Sequence, residues 1–219
     1  MTTLLLIRHG QTEYNNSRRF TGQNDIAMSP HGYLQVKATA EHVIGLYHVD
    51  AVYSSDLQRA MNTVDPIAKH FALSVKPMRE LRETDVGAWQ DRFVTEISEH
   101  EHELFALYEN SPGQFRFPGG ENYRDVQARA LRAVRQIAAE QAGRTVAVGT
   151  HGGLIRALCC AWLGYEADDY FKVPIISNAS ITVAEIDGES ARLKQIGDNA
   201  HLEEINKQKT TDTSRTVVV

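Results

Sequence analysis

The sequence predicts an α/β protein built on a mostly parallel sheet with helices covering both faces. Two observations carry this. Short β-rich apolar runs alternate with longer helical patterns across most of the chain. The first and fourth of these runs are apolar almost without interruption, as strands buried on both faces are. With 219 residues, 42% of them hydrophobic, the chain has the means to bury such a core.

Thr2 to Ile7 is the first run and reads as a buried strand. Ser29-Pro30 opens a helical pattern to about Tyr47, with Pro30 suited to the first turn. Asp50 to Tyr53 reads as the second strand. Ser54-Ser55-Asp56 then caps a helix carrying Leu57, Ala60, Met61 and Val64. Leu73 to Lys76 is the third strand, and Phe93 to Tyr108 an acidic helix. Ser111 to Gly120 holds two prolines and three glycines and reads as a loop. Glu121 to Ala142 is a long helix rich in Ala, Arg and Gln. Thr145 to Gly149 is the fourth strand, and Gly153 to Leu163 the helix after it. Ser180 to Ile186 and Ala191 to Ile196 flank Asp187-Gly188 as a terminal hairpin. No repeat or linker divides the chain, so residues 1–206 read as one domain. An insertion at about 90–120 lies over the sheet edge, and residues 207–219 form a tail.

Composition narrows the partners. A net charge of -5 argues against a general nucleic-acid or membrane-surface binder. No window reaches the ~18 uninterrupted apolar residues of a membrane span. Cys159 and Cys160 are adjacent in an apolar helical run and read as reduced core thiols. These features together predict a cytoplasmic protein, in which the sequons at Asn15 and Asn178 carry no glycan. The helices offer a face for a homodimer.

In open parallel sheets, ligands bind just beyond the carboxyl ends of the strands. The first strand is followed by Arg8, His9 and Gly10. The second is followed by the Ser-Ser-Asp segment and Arg59, the third by Arg82 and Glu83, and the fourth by His151, Gly152 and Gly153. All four ends open on the same side. They gather cationic groups, imidazoles, one carboxyl group and a helix N-terminus, which together suit a phosphate. A neutral imidazole at His9 is a competent nucleophile toward phosphorus if its far nitrogen is protonated and held by a backbone carbonyl. Arg8 and Arg59 would grip the equatorial oxygens, and His151, if protonated, would add a third cation. Glu83 would donate a proton to the leaving alcohol and then act as base toward water. The arginines supply the positive charge, so the reaction calls for no metal and no cofactor.

The blocks that carry this chemistry resemble the histidine phosphatase superfamily, on its phosphoglycerate mutase-like branch. They are Leu6 to Asn15 around Arg8-His9-Gly10, Arg19 to Asp25, Ser54 to Ala60, Leu81-Arg82-Glu83 with Gly87 and Trp89, and Thr150-His151-Gly152-Gly153. The resemblance implies a three-layer α/β/α sandwich with His9 as the phosphorylated residue. It implies Arg8, Asn15, Arg59 and His151 as the phosphate pocket and Glu83 as the proton donor. It places Gly22 and Gln23 on the substrate side and the Gly152 backbone against the phosphoryl group. Residues 90–120 are short and acidic and end Phe117-Pro118-Gly119-Gly120-Glu121, which resembles the phosphatases of the branch rather than its mutases. Gln90-Asp91 stands where those phosphatases often carry an acidic residue and then glycine.

The expected function is therefore a metal-independent phosphatase acting on a small phosphorylated metabolite. The alternatives are a 2,3-bisphosphoglycerate-dependent phosphoglycerate mutase and a non-catalytic phospholigand-binding module on the same fold. Other residues read as plain structure. Glu80 and Asp85 are near rivals of Glu83, which could also pair with Arg79 or Arg82. His100 and His102 sit two apart on a helix and face different ways. His31, His42, His48 and His70 read as surface or helix-end residues, Trp89 as a packing anchor, and Arg129, Arg132 and Arg135 as a solvated face.

Overall fold

The strand β1 (Thr2–Arg8) sends its side chains alternately into two cores: Leu4 and Leu6 enter one, Leu5 and Ile7 the other, and all four are fully buried. A strand that is apolar on both faces needs cover on both faces. The rest of this computed structural model, which describes residues 1–207, provides it. The expected tail lies outside the described residues except for Lys207.

In chain order, β1 is followed by α1 (Glu13–Ser17), α2 (Pro30–Leu46), β2 (Ala51–Ser54), α3 (Gln58–His70) and β3 (Val75–Pro77). Then come α4 (Val94–His100), α5 (His102–Asn110), α6 (Tyr123–Glu140), β4 (Thr145–Thr150) and α7 (Gly152–Trp162), and finally the hairpin β5 (Ile181–Asp187) and β6 (Ser190–Asp198). The six strands form one sheet in the order β3-β2-β4-β1-β5-β6. β1, β4, β2 and β3 run parallel, β5 is antiparallel to β1, and β6 is antiparallel to β5. On one face Ala40 and Val43 of α2 and Val64 and Ile67 of α3 pack with Leu5 and Ile7. On the other, Ala133 and Ile137 of α6 and Leu154 and Leu158 of α7 pack with Leu4 and Leu6. This is the α/β/α layering that the apolar strands predict. The four parallel strands end at Arg8, Ser54, Pro77 and Thr150 on one edge of the sheet.

Three local expectations are corrected. The Ser54-Ser55-Asp56 segment does not cap α3, whose N-cap is Leu57 with no side-chain hydrogen bond. Asp56 is held instead by Arg82, at 2.6 and 2.7 Å. The first turn is capped from a distant loop, where Asp25 Oδ1 accepts from the Gln58 amide at 2.8 Å. The acidic helix is broken in two at Glu101, whose carboxylate turns inward to accept from Trp89 Nε1 at 2.8 Å and from Arg92. Arg129 is not part of a solvated face; its side chain is 12% exposed and fully engaged, as described below.

Asp91 stands at φ 66, in the left-handed region that favours glycine. Its side chain explains its presence: Oδ1 accepts from Asn24 Nδ2 at 2.7 Å, and Asp is among the residues that tolerate this conformation. Cys159 and Cys160 are free and buried, and burial pushes the Cys159 thiol up to about 12. Among the described residues, no helix is long and apolar enough to cross a membrane.

Candidate active site

His9 continues the line of β1 beyond its last residue. Its amide donates to Thr150 O at 2.9 Å, and its carbonyl accepts from Asn178 Nδ2 at 3.0 Å and from the Ala179 amide at 3.2 Å. The backbone is thereby pinned between the end of β4 and the loop before β5. Nδ1 lies 2.8 Å from Gly10 O. A carbonyl only accepts, so Nδ1 carries the proton and Nε2 keeps its lone pair. Burial, and then the Arg59 and Arg8 guanidinium groups, hold the His9 pKa well below the usual histidine range. The ring is neutral and oriented at neutral pH, the form in which an imidazole can act as a nucleophile.

Three donors around His9 have no protein partner. Arg8 Nε, Arg59 Nε and His151 Nδ1 are all buried and without a hydrogen bond. Buried polar groups are nearly always paired, and three unpaired donors beside one imidazole are a set that suits an anion. Both arginines are anchored through their other nitrogens. Arg8 Nη1 donates to Ile176 O; Arg59 Nη1 donates to Asn24 O at 2.5 Å and Nη2 to Gly22 O at 2.9 Å. Burial lowers the pKa of both and takes Arg59 to about 10, so each stays cationic at neutral pH. Asn15 Oδ1 accepts from the Thr12 amide at 3.0 Å and from Asn178 Nδ2 at 3.1 Å. Its carbonyl is therefore occupied, and its Nδ2 is the group left to face an anion.

His151 differs from the expectation of a protonated third cation. Its ring centroid is 5.2 Å from that of His9. Burial, and then Arg59, hold its pKa well below the usual range, so it is neutral. Ser55 Oγ lies 2.8 Å from His151 Nε2 and accepts from the Leu57 amide at 3.3 Å. The hydroxyl proton goes to Nε2, which leaves Nδ1–H as a neutral donor.

Glu83 faces the same cavity. Oε1 accepts from the Thr84 amide at 2.8 Å, and Oε2 from the Gly153 amide at 3.1 Å, in the first turn of α7. Its rivals stand elsewhere: neither Glu80 nor Asp85 lines the cavity. The carbonyl of Glu83 accepts from Arg129 Nη2 at 2.9 Å, while Arg129 Nη1 reaches the carbonyls of Glu80 and Arg82 at 2.9 and 2.7 Å. Glu121 closes this clasp on Arg129 at 2.7 and 2.8 Å. Arg82 pairs with Asp56 rather than Glu83, so the carboxyl is left to the cavity.

The two glycines that open α7 stand close to side chains of the cavity. A Cβ at Gly152 would lie 3.1 Å from Arg8 Nε. A Cβ at Gly153 would collide with Glu83 Oε1 and press Thr84 Oγ1 at 3.0 Å. Gly153→Ala is therefore expected to displace the carboxyl and lower kcat by roughly 10²-fold, the low end of the range for general acid–base groups. Vanadate affinity should change little. Steady-state kinetics with a vanadate titration check this.

The cavity has a volume of about 210 Å³ and opens into a wider groove of about 800 Å³ that shares Arg8, Asn15, Arg19, Phe20 and Tyr108. Gly22 lines it, as expected, but Gln23 does not. Gln23 Nε2 donates to Glu83 O at 3.2 Å. Tyr108, Phe117, Tyr123 and Tyr170 add an aromatic wall that sequence reasoning missed. Tyr123 and Tyr170 stack at 3.7 Å, and Tyr170 Oη donates to Gly153 O at 3.1 Å. Arg156 holds the segment below, donating to the Val173 and Phe171 carbonyls. Trp89 is fully buried among these rings as a packing anchor.

The family model of the histidine phosphatase superfamily (branch 1) matches residues 4–199. A metal-independent phosphoserine phosphatase of Arabidopsis thaliana is 32% identical over 213 residues, covering 94% of this chain and 85% of the relative. The structure of Bacillus stearothermophilus YhfR superposes with a TM-score of 0.87 at 29% identity, covering 93% of this chain and all of the other. A mycobacterial glucosyl-3-phosphoglycerate phosphatase in complex with VO3 superposes with a TM-score of 0.82 at 31% identity, covering 90% of this chain and 99% of the other.

Proposed function

The chain belongs to the histidine phosphatase superfamily (branch 1), and on that premise we propose that it hydrolyses a small phosphomonoester through a phosphohistidine at His9. The observation that carries the mechanism is the set of buried, unpartnered donors, Arg8 Nε, Arg59 Nε and His151 Nδ1, gathered beside the imidazole. They supply what a phosphoryl dianion needs, and His9 Nε2 supplies the electron pair.

In the first step His9 Nε2 attacks phosphorus and the P–O bond to the leaving alcohol breaks. Arg8, Arg59, Asn15 and His151 hold the three equatorial oxygens, where charge spreads in the transition state. Glu83 transfers a proton to the leaving oxygen. In the second step water attacks the phosphohistidine, its proton passes to Glu83, and the P–N bond breaks to restore His9. Positive charge comes from the two arginines, so no metal is called for. The substrate enters along the groove between Arg19-Phe20 and the insertion over residues 90–120, and that wall sets its identity. Named relatives act on phosphoserine and on glucosyl-3-phosphoglycerate. The substrate class is thus a small phosphorylated metabolite. Two buried free thiols suit a reducing compartment such as the cytoplasm.

Release of inorganic phosphate from a panel of phosphoserine, phosphoglycerates, sugar phosphates and an aryl phosphate tests the reading. Turnover is expected to survive EDTA and to be blocked by vanadate. Interconversion of 3- and 2-phosphoglycerate that depends on the bisphosphate and outpaces hydrolysis would overturn it in favour of a mutase.

A further inference from the structure

His42, Asp198 and His201 form a cluster that the phosphoryl chemistry does not use. His42 lies on α2, Asp198 ends β6, and His201 sits in the short turn Ala200–Leu202 that follows. The two imidazoles stack with centroids 4.7 Å apart at 15°. One ligand atom from each of the three residues lies within 4.8 Å of the others, a spacing that no other such group meets among the described residues.

The tautomer of His201 follows from Thr39. Thr39 Oγ1 is 2.9 Å from Gln35 O, 2.9 Å from Ala179 O and 3.0 Å from His201 Nε2. A hydroxyl has one proton, and carbonyl oxygens only accept. Thr39 gives its proton to a carbonyl and receives Nε2–H from His201. Nδ1 is left as a bare lone pair, and it is a buried atom with no hydrogen-bond partner. One ring nitrogen tied to an oxygen and the other left as a lone pair is the arrangement that metal-binding histidines adopt.

We propose that His42, Asp198 and His201 bind one divalent transition-metal ion of the zinc, nickel or cobalt class. Two imidazoles and a carboxylate, with water completing the shell, are the donors these ions take, whereas magnesium and calcium prefer oxygen alone. Metal–ligand bonds of about 2.0–2.2 Å require the three donors to draw closer than they stand. All three residues are partly buried, and His42 must turn out of its stack on His201 for both ring planes to contain the ion. The bound ion would fasten α2 to the end of β6. It would also brace the scaffold of the phosphate cavity: Thr39, which accepts from His201, lies 2.9 Å from the Ala179 carbonyl, and the Ala179 amide donates to the Arg8 and His9 carbonyls at 3.0 and 3.2 Å.

The test is calorimetric titration of the full, chelator-stripped chain with zinc chloride, repeated with cobalt chloride and read by visible absorption. One ion per chain is expected, with a cobalt ligand-field band and a rise in Tm on adding zinc. His42→Gln and His201→Gln should each weaken binding at least 10-fold and remove the band. His70→Gln, on an exposed ring elsewhere, and His9→Gln, in the phosphate cavity, should leave both unchanged. Should His201→Gln fail to fold, His42→Gln decides alone. No stoichiometric binding in the parent chain, affinity unaltered by His42→Gln, or a band abolished by His9→Gln would each overturn the proposal.

Discussion

Replacing His9 by alanine is expected to lower kcat by on the order of 10⁴-fold or more while the chain still folds and still binds vanadate or phosphate. The chemistry asks for a lone pair on Nε2, and among the cavity groups only this imidazole offers one in a fixed orientation, set by the Gly10 carbonyl at 2.8 Å. His151, behind it, cannot substitute, because its Nε2 is engaged by Ser55 and its Nδ1 carries the proton. Anion affinity should persist, since Arg8 and Arg59 are anchored through carbonyls of Ile176, Asn24 and Gly22 and not through His9. Quenching the parent enzyme during turnover should trap an acid-labile phosphoryl group that the variant lacks. Activity within tenfold of the parent after His9→Ala would remove the covalent mechanism altogether.

Arg59→Lys is expected to cost roughly 10²- to 10³-fold in kcat/KM, in the range for loss of a preorganised donor to transition-state charge. The substitution keeps the charge but not the fork. Arg59 is fully buried and holds two carbonyls with its terminal nitrogens while presenting Nε to the cavity. Lysine has a single ammonium and cannot serve both ends at once. The loss should fall on kcat more than on KM, because the phosphoryl oxygens gain charge in the transition state. A variant with normal kcat and a raised KM would show that Arg59 only binds ground-state phosphate. Arg59→Met separates charge from shape: it should be at least as inactive, and it leaves the Asn24 and Gly22 carbonyls unpaired, at a cost to stability of about 1–3 kcal/mol each.

Much of this site is readable from the sequence because a parallel sheet collects strand ends on one edge. Apolar runs locate the strands, and the residues just after them are then candidates in advance. His9, Arg8, Arg59, Glu83 and His151 all follow such runs and stand together in the structure. Arg129 was hidden for a different reason. Arg129, Arg132 and Arg135 repeat every third residue and look like one charged face of a helix. Yet Arg129 lies three residues after Val126 and four before Ala133, on the edge of the buried stripe of α6. That offset is the available signal, and it separates Arg129 from Arg132, which is exposed. The Ser-Ser-Asp segment misled because capping propensity is local, while Asp56 and Ser55 are taken by partners from other strand ends. Tyr123 and Tyr170 left no signal, since their stacking depends on how a loop after α7 folds back over the cavity. The pairing of His42 with His201 is likewise a tertiary event between segments far apart in sequence.

The position of β1 at the centre of the sheet has a consequence for biosynthesis. β1 pairs with β4 through Thr3 and Thr145 and with β5 through Thr2 and Ile186. Both neighbours are made long after it. At ~5–20 residues per second, the Leu-Leu-Leu-Ile run waits on the order of ten seconds on the ribosome before either partner emerges. Over that interval a sticky β segment is without its ladder, and nascent chains would need a holding chaperone most at this stage. Messages with slow codons upstream of β4 should yield more insoluble product than messages with slow codons after β5.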